Sequence, residues 1–489
     1  MRGCPGVSVW LEPAFPTGRS WSAAGTHPPA PQSMPQFTGS LVRYPARVSF
    51  VAYVVAVLLG GFLLTLPACR QPGRPPVSFV DGAFTATSAC CVTGLTVRST
   101  LNDFSFLGQA LILALIQLGG LGIMTITTLV SFHIGGQATL HQRAVIAETL
   151  GIRSGRDLRW VTLGVLVTVL SAELVGFLLL CWADWGRGPA GSVVWRSLFH
   201  AVSAFCNAGF ALHDDNLVPD AGRVSINLVI CGLIIVGGLG FPVIFDVVSR
   251  LRRREPFWDR LHTQSKMMLI GTALLLALGA VSFWMLEWGE ALERETIGTR
   301  LLMGLFHSTT CRTAGFNTVR YVELSSATLF LAIVLMAIGA GPCSTAGGFK
   351  VSTFMTLVVS SWANFRGCRH ANFFKRTIPA AAVQRATATA LFFGAVAIVA
   401  LVALLVVEAR STVATESRWF LRALFECISA LGTVGLSTDL TPQLTDPGKL
   451  VLVGLMLLGR LGPITAAVAL ARERRTYLPR YPEEEPLIG

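Results

Sequence analysis

Val92-Thr93-Gly94-Leu95-Thr96 is one of four versions of the same short run, and that repetition decides how the chain must be read. The others are Asn207-Ala208-Gly209-Phe210-Ala211, Thr313-Ala314-Gly315-Phe316-Asn317 and Thr433-Val434-Gly435-Leu436-Ser437. In each, a glycine follows two small or polar residues, precedes a large apolar one and sits between long hydrophobic segments. The glycines recur roughly every 110 residues, longer than the period of soluble solenoids, so each unit is about one membrane hairpin in size.

Composition supports this. The 489 residues are 52% hydrophobic and only 13% charged, with a mean hydropathy of +0.61. That balance excludes an ordinary soluble globular domain and predicts an all-α polytopic membrane protein. Apolar stretches of about 20 residues, long enough to cross a bilayer, begin near Val48, Leu107, Trp160, Ser225, Met267, Ser326, Ala380 and Lys449. Eight transmembrane helices are therefore expected.

The formal net charge of +12 lies mainly in alternate loops, for example Arg143 to Arg159, Arg250 to Lys266, Arg366 to Arg385 and Arg472 to Arg480. The loops between carry Asp214, Asp215 and Asp220, or Glu287, Glu290, Glu293 and Glu295. This positive-inside asymmetry puts both termini in the cytoplasm and the four glycine runs on the outer side. It assigns the basic charge to helix orientation and anionic lipid, with no nucleic acid. The eleven cysteines show no metal-ligand spacing and no disulfide framework. Cys90, Cys91, Cys206 and Cys311 read as small residues packed behind the runs. No Ser/His pair, carboxylate pair or metal-spaced cluster points to an enzyme.

Each unit reads as span, half-helix, glycine run and returning span. The successive segments are 48–66, 77–91 and 107–133; 160–182, 192–206 and 225–248; 267–288, 300–311 and from 326; then 380–408, 418–431 and 449–471. The corresponding divisions are a disordered tail at 1–44, repeats at 45–136, 137–254, 255–365 and 366–475, and a tail at 476–489. Met34 offers an alternative start within the first tail. Irregular backbone at membrane depth is tolerated only inside protein or beside water, which places each glycine run in a pore. Each half-helix then aims its partly negative C-terminal end at the centre, where a cation is favoured.

Thr-Val-Gly followed by a large residue is also the core of the potassium-channel filter signature, in which backbone carbonyls replace the ion's hydration shell. The candidate ion-binding residues are Val92, Thr93, Gly94, Asn207, Ala208, Gly209, Thr313, Ala314, Gly315, Thr433, Val434 and Gly435. Hydroxyls of Thr93, Thr313 and Thr433, with the amide oxygen of Asn207, add ligands suited to a hard monovalent cation. Leu95, Phe210, Phe316 and Leu436 stand where channels have tyrosine, which predicts fewer well-formed sites and less strict discrimination.

Two further features concern control. Gly339-Ala340-Gly341-Pro342-Cys343-Ser344-Thr345-Ala346-Gly347-Gly348 interrupts the third returning span, and such a run does not stay helical. It is a candidate gate, with Gly339, Gly341, Ser344, Thr345, Gly347 and Gly348 as its working residues. Arg460 is charged where charge is costly. It either raises a barrier in the pore, pairs with carbonyls of the unwound run, or snorkels to the cytoplasmic surface. Glu173 reads as interhelical glue and Glu408 as an outer-edge residue.

Several motifs together resemble the membrane subunit of the Trk/Ktr/HKT potassium-uptake superfamily over about 45–489. They are 86–95 around Gly94, Gln117-Leu118-Gly119-Gly120-Leu121-Gly122, Arg312-Thr313-Ala314-Gly315-Phe316-Asn317, Ser344-Thr345-Ala346-Gly347-Gly348 and Gly459-Arg460-Leu461-Gly462-Pro463. The absence of an extra hairpin and the ending at 481–489 are similar to the Ktr type. The resemblance implies potassium uptake across the bacterial plasma membrane through a gated, fourfold pseudosymmetric pore in each protomer. It also implies a homodimer on a cytoplasmic ring of RCK-type nucleotide-binding regulatory subunits, with sodium as an activator. No covalent cofactor is implied, and nucleotide belongs to the partner. On this resemblance the unwound run gates the pore, and Arg460 helps to hold it closed. The alternative is a secondary transporter with broken helices that couples a solute to sodium. Such proteins favour inverted repeats, whereas all four glycine runs fall on one side.

Overall fold

The computed structural model describes residues 45–122, 158–251, 257–368, 370–415 and 417–462. Both expected tails, the boundary at 136, the basic residues Arg143, Arg153 and Arg156, and Pro463 lie outside these. The first unit contains α1 (Pro45–Leu64), α2 (Phe79–Cys90) and α3 (Phe106–Leu121). The second contains α4 (Leu158–Asp184), α5 (Ala190–Cys206), α6 (Val224–Leu239), α7 (Phe241–Leu251) and the short α8 (Phe257–Arg260). The third contains α9 (Thr263–Glu287), α10 (Ile297–Thr310), α11 (Ser326–Ala337) and α12 (Val351–Phe365). A hairpin of β1 (Asn372–Phe373) and β2 (Arg376–Thr377) leads to α13 (Ala380–Val407), α14 (Trp419–Gly432) and α15 (Asp446–Leu461).

Local chemistry sets several starts. Ser78, Ser105, Thr296, Ser325 and Thr445 each accept a hydrogen bond from the backbone three residues on, which caps α2, α3, α10, α11 and α15. The cap at Thr445 has its own support: Glu408 accepts from the Thr445 N–H at 2.9 Å and from its hydroxyl at 2.6 Å. Glu408 is fully buried and stands at the C-terminal end of α13. Glu287 holds Ser325 and Thr328 in the same way one unit earlier.

Burial divides the helices into two kinds. The apolar windows of α4, α9 and α13 are only 28%, 33% and 28% buried, so most of their surface is left for lipid. In α5 and α14, by contrast, every residue from Phe199 to Cys206 and from Phe425 to Gly432 is buried. The half-helices are therefore the core, and the long apolar helices wrap them.

One expectation about the returning spans needs correction. The second does not run unbroken over 225–248: α6 stops at Gly240, whose φ is +90°, and α7 leaves at 100° to it. Helices α3 and α15 also end at glycines of positive φ, Gly122 at +76° and Gly462 at +79°, and the remainder of the expected 107–133 and 449–471 lies outside the described residues. Among the described residues, three helices are long and apolar enough to span a membrane, and the bent α6–α7 pair passes the same test jointly.

Glycines in these returning helices set how closely they approach the half-helices. A Cβ on Gly119 would lie 2.0 Å from the Cys90 carbonyl oxygen, one on Gly237 2.0 Å from that of Phe205, and one on Gly459 2.1 Å from that of Leu431. In all three cases the carbonyl belongs to the residue four before a turn glycine. First and last units are clamped by Asp81, which takes Lys449 at 2.8 Å and Arg98 at 3.1 Å.

Candidate ion pathway

Each turn begins where a half-helix ends. Val92, Asn207, Thr313 and Thr433 all have positive φ, at 57°, 60°, 68° and 49°, and the glycines two residues on are positive as well. A β-branched residue in the left-handed region is costly, so three such residues in equivalent places mark a backbone held in position by its surroundings. The holding bonds are visible. The amides of Thr93, Ala208 and Val434 donate to the carbonyls of Ser88, Ser203 and Ser429 at 2.7–2.8 Å. The Ser88 and Ser429 hydroxyls accept from Gly94 and Gly435 at 3.0 and 3.1 Å. Ser203 and Thr310 instead donate to the carbonyls of Phe210 and Phe316.

The four turns meet in cyclic order. A Cβ on Gly94 would lie 2.6 Å from the Ala208 carbonyl oxygen, and one on Gly209 2.9 Å from that of Ala314. On Gly315 it would lie 2.7 Å from the Val434 oxygen, and on Gly435 1.9 Å from the Thr93 oxygen, which closes the circuit. Only glycine permits this approach, and it brings together carbonyls from Thr93, Ala208, Ala314 and Val434.

Side-chain oxygens add to the site unequally. Thr93, Thr313 and Thr433 are fully buried, and their hydroxyl oxygens have no hydrogen-bond partner among the described residues. A buried, unsatisfied hydroxyl costs about 1–3 kcal/mol, so three around one ring fit a site that takes an oxygen-seeking cation as substrate. Asn207 is anchored differently. With its amide nitrogen facing them, it donates to the carbonyls of Ala204 at 3.0 Å and Ile234 at 3.3 Å.

Beside the ring lies the unwound segment. Between α11 and α12 the chain is non-helical, and Gly339 donates to the Phe349 carbonyl at 2.7 Å. Gly341 donates to Gly238 at 2.8 Å, while the Thr345 hydroxyl reaches the carbonyls of Phe205 at 3.2 Å and Gly237 at 3.1 Å. Ser344 donates to its own Gly341 carbonyl at 2.7 Å. Gly347 abuts the Thr433 side chain, and Gly348 lies against Gly432 at the end of α14. Arg460 donates to the carbonyls of Thr345 and Gly119, and its Nε lies 3.4 Å from the Tyr53 hydroxyl. Of the three placements open to it, the guanidinium thus takes the contact with the unwound run.

Sequence reasoning missed several groups that shape this site. Ser88, Ser203 and Ser429 each stand six residues before a turn glycine, a spacing that was there to be found. Lys350 donates to the Ala346 and Gly347 carbonyls at 2.7 and 3.2 Å, a second cation on the unwound run. Glu426 is fully buried and gathers Ser437, Thr438 and Thr441 behind the fourth turn. Glu173 does bridge helices, accepting from Gln117 at 3.2 Å on α3 while the Cys206 thiol of α5 lies 3.7 Å away. Cys90, Cys91, Cys206 and Cys311 are fully buried behind the turns, as small packing residues should be.

A helical membrane protein with an interior built of half-helices and irregular backbone, lined by oxygen, has the build of a membrane transporter. The particular family follows from comparison: the TrkH cation transport protein model matches residues 35–476, and the chain belongs to that family. It is 38% identical over 450 residues to the Ktr system potassium uptake protein B of Vibrio alginolyticus, covering 91% of this chain and 94% of that one. It is also 38% identical over 455 residues to the potassium/sodium uptake protein NtpJ of Enterococcus hirae, covering 91% and 97%. The crystal structure of the potassium transporter TrkH from Vibrio parahaemolyticus shares the fold, with a TM-score of 0.70 at 18% identity over 90% of this chain and 87% of that one.

Proposed function

We propose that this protein takes up potassium across the bacterial plasma membrane through a gated, cation-selective pore. The observation that carries the reading is the closed circuit in which each turn glycine meets the carbonyl of the next unit. Four units at 45–136, 137–254, 255–365 and 366–475 each supply one turn, and the eight-span, fourfold pseudosymmetric architecture follows from counting one span before and one after each. The carbonyls of Thr93, Ala208, Ala314 and Val434 replace water around the ion, and the C-terminal ends of α2, α5, α10 and α14 supply the field that favours positive charge.

The run 339–348 is the gate in this reading, held shut by Arg460 through the Thr345 carbonyl. Both termini lie in the cytoplasm. The protein works as a homodimer on a ring of nucleotide-binding regulatory subunits, with sodium as an activator. Support for the cargo comes from relatives named for potassium uptake and, in one case, for potassium and sodium.

Rubidium influx into proteoliposomes, with potassium or sodium as competitor, tests the reading. Potassium is expected to compete far better than sodium. Equal competition, or no influx even with the regulatory subunit present, would remove it.

A further inference from the structure

A cavity of about 1000 Å³ lies away from the ring, between the start of α4, α7, the start of α9 and the β1–β2 hairpin. Its lining carries the cations Arg250, Arg260, Lys266 and Arg376 against two carboxylates, Asp246 and Asp259. Asp246 is already committed to the wall. It takes Arg250 at 2.6 Å, the Ser265 hydroxyl at 2.7 Å and the His262 amide at 2.9 Å.

Lys266 is the telling residue. It is only 7% exposed, and among the described residues its ammonium meets one partner, the ring of Phe374 at 5.3 Å. The ring alone replaces little of what an ammonium draws from water or an anion. Lys266 lines the cavity, which has room for an anionic partner.

Height narrows the chemistry. Thr263 to Lys266 line the cavity from the first turn of the apolar span α9, and Val165 lines it from the N-terminal third of α4. On the orientation adopted above, that is the inner membrane boundary, where phosphate groups concentrate. We infer that this cavity binds a phosphate group, engaged by Lys266 and Arg376, from either an anionic lipid headgroup or a soluble phosphate compound. The cavity wall reaches the gate. Phe241 and Pro242 of α7 line the cavity, the Phe241 amide donates to the Cys343 carbonyl at 3.1 Å, and Gly240 abuts the Pro342 carbonyl. The inference rests on that orientation and gate, but its test reads binding rather than flux.

The test uses the purified full chain in neutral maltoside micelles, titrated with dihexanoyl phosphatidylglycerol, with its phosphatidylcholine counterpart, or with inorganic phosphate. Thermal stability and direct binding are read together. Saturable binding of phosphatidylglycerol alone assigns a lipid; equal binding of inorganic phosphate assigns a soluble ligand. Lys266→Gln and Arg376→Gln should each weaken that binding about tenfold, as loss of a charge-assisted hydrogen bond does, and Lys266→Arg should restore it. Arg376 is exposed on the hairpin, so its variant tests the site without disturbing the core. Gly435→Ser should bind normally, which separates this site from the pore. Absence of saturable binding by either phosphate probe, or binding indifferent to both Gln variants, would overturn the inference.

Discussion

The ring of turns and the unwound run 339–348 are both irregular backbone in the protein interior, yet long cationic side chains hold only the second. In the ring, backbone meets backbone: every turn glycine lies against a neighbouring carbonyl, and three of the four turn amides are tied to their own half-helix at 2.7–2.8 Å. In the unwound run, side chains share the attachment with backbone bonds from Gly339 and Gly341. Arg460 holds Thr345, Lys350 holds Ala346 and Gly347, and the Thr345 hydroxyl reaches across to α5 and α6. A structure secured by its backbone is fixed in size, which suits discrimination between ions. One that also depends on the long side chains of Arg460 and Lys350 can be loosened by moving them, which suits control.

The comparison makes graded predictions: ring variants should change which ion passes, and variants of the unwound run how much passes. The largest effect is expected for Gly435→Ser, whose Cβ would lie 1.9 Å from the Thr93 oxygen on a backbone at φ +93°. Overpacking there costs about 1–3 kcal/mol, and potassium preference over sodium in rubidium-influx competition should fall by about tenfold. Next comes Arg460→Ala, which removes charge-assisted hydrogen bonds of about 1.5–3 kcal/mol each. It should raise rubidium influx several-fold without changing the competition ratio.

Glu426→Gln should follow. The neutral amide accepts more weakly from Ser437, Thr438 and Thr441, so thermal unfolding should show a loss of about 1–2 kcal/mol with some loss of selectivity. Thr345→Val gives up a hydroxyl worth about 1 kcal/mol and should raise influx modestly. Arg320→Gln, at an exposed pair with Asp215, should change neither influx nor melting temperature. A variant of the unwound run that altered selectivity as much as Gly435→Ser would break the comparison.

The glycine runs were legible because they carry chemistry in sequence order: small residues, a glycine, then a large apolar anchor. The half-helices were legible from length, and observed ends such as Cys90 and Gly432 fall within one residue of the expected 91 and 431. The break at Gly240 was not found because 225–248 reads as one mostly apolar stretch, and hydropathy does not register a change of direction. Yet Gly237-Gly238-Leu239-Gly240 has the spacing of Gly119-Gly120-Leu121-Gly122 and of Gly459-Arg460-Leu461-Gly462. Aligned this way, Arg460 stands where the other two have glycine, and there a Cβ would meet Cys206 at Gly120 and Ala340 at Gly238. Glu426 was hidden for a different reason: it acts on Ser437, Thr438 and Thr441, which the fold brings to it. Lys350 stands three and four residues after the carbonyls it meets, a local contact that the sequence reading passed over.

The most direct measurement is the location of rubidium by anomalous scattering in crystals of the protein grown with that ion. The account predicts a peak inside the ring, within coordinating reach of the carbonyl oxygens of Thr93, Ala208, Ala314 and Val434. A well-occupied peak elsewhere in the membrane region, with none in the ring, would contradict it.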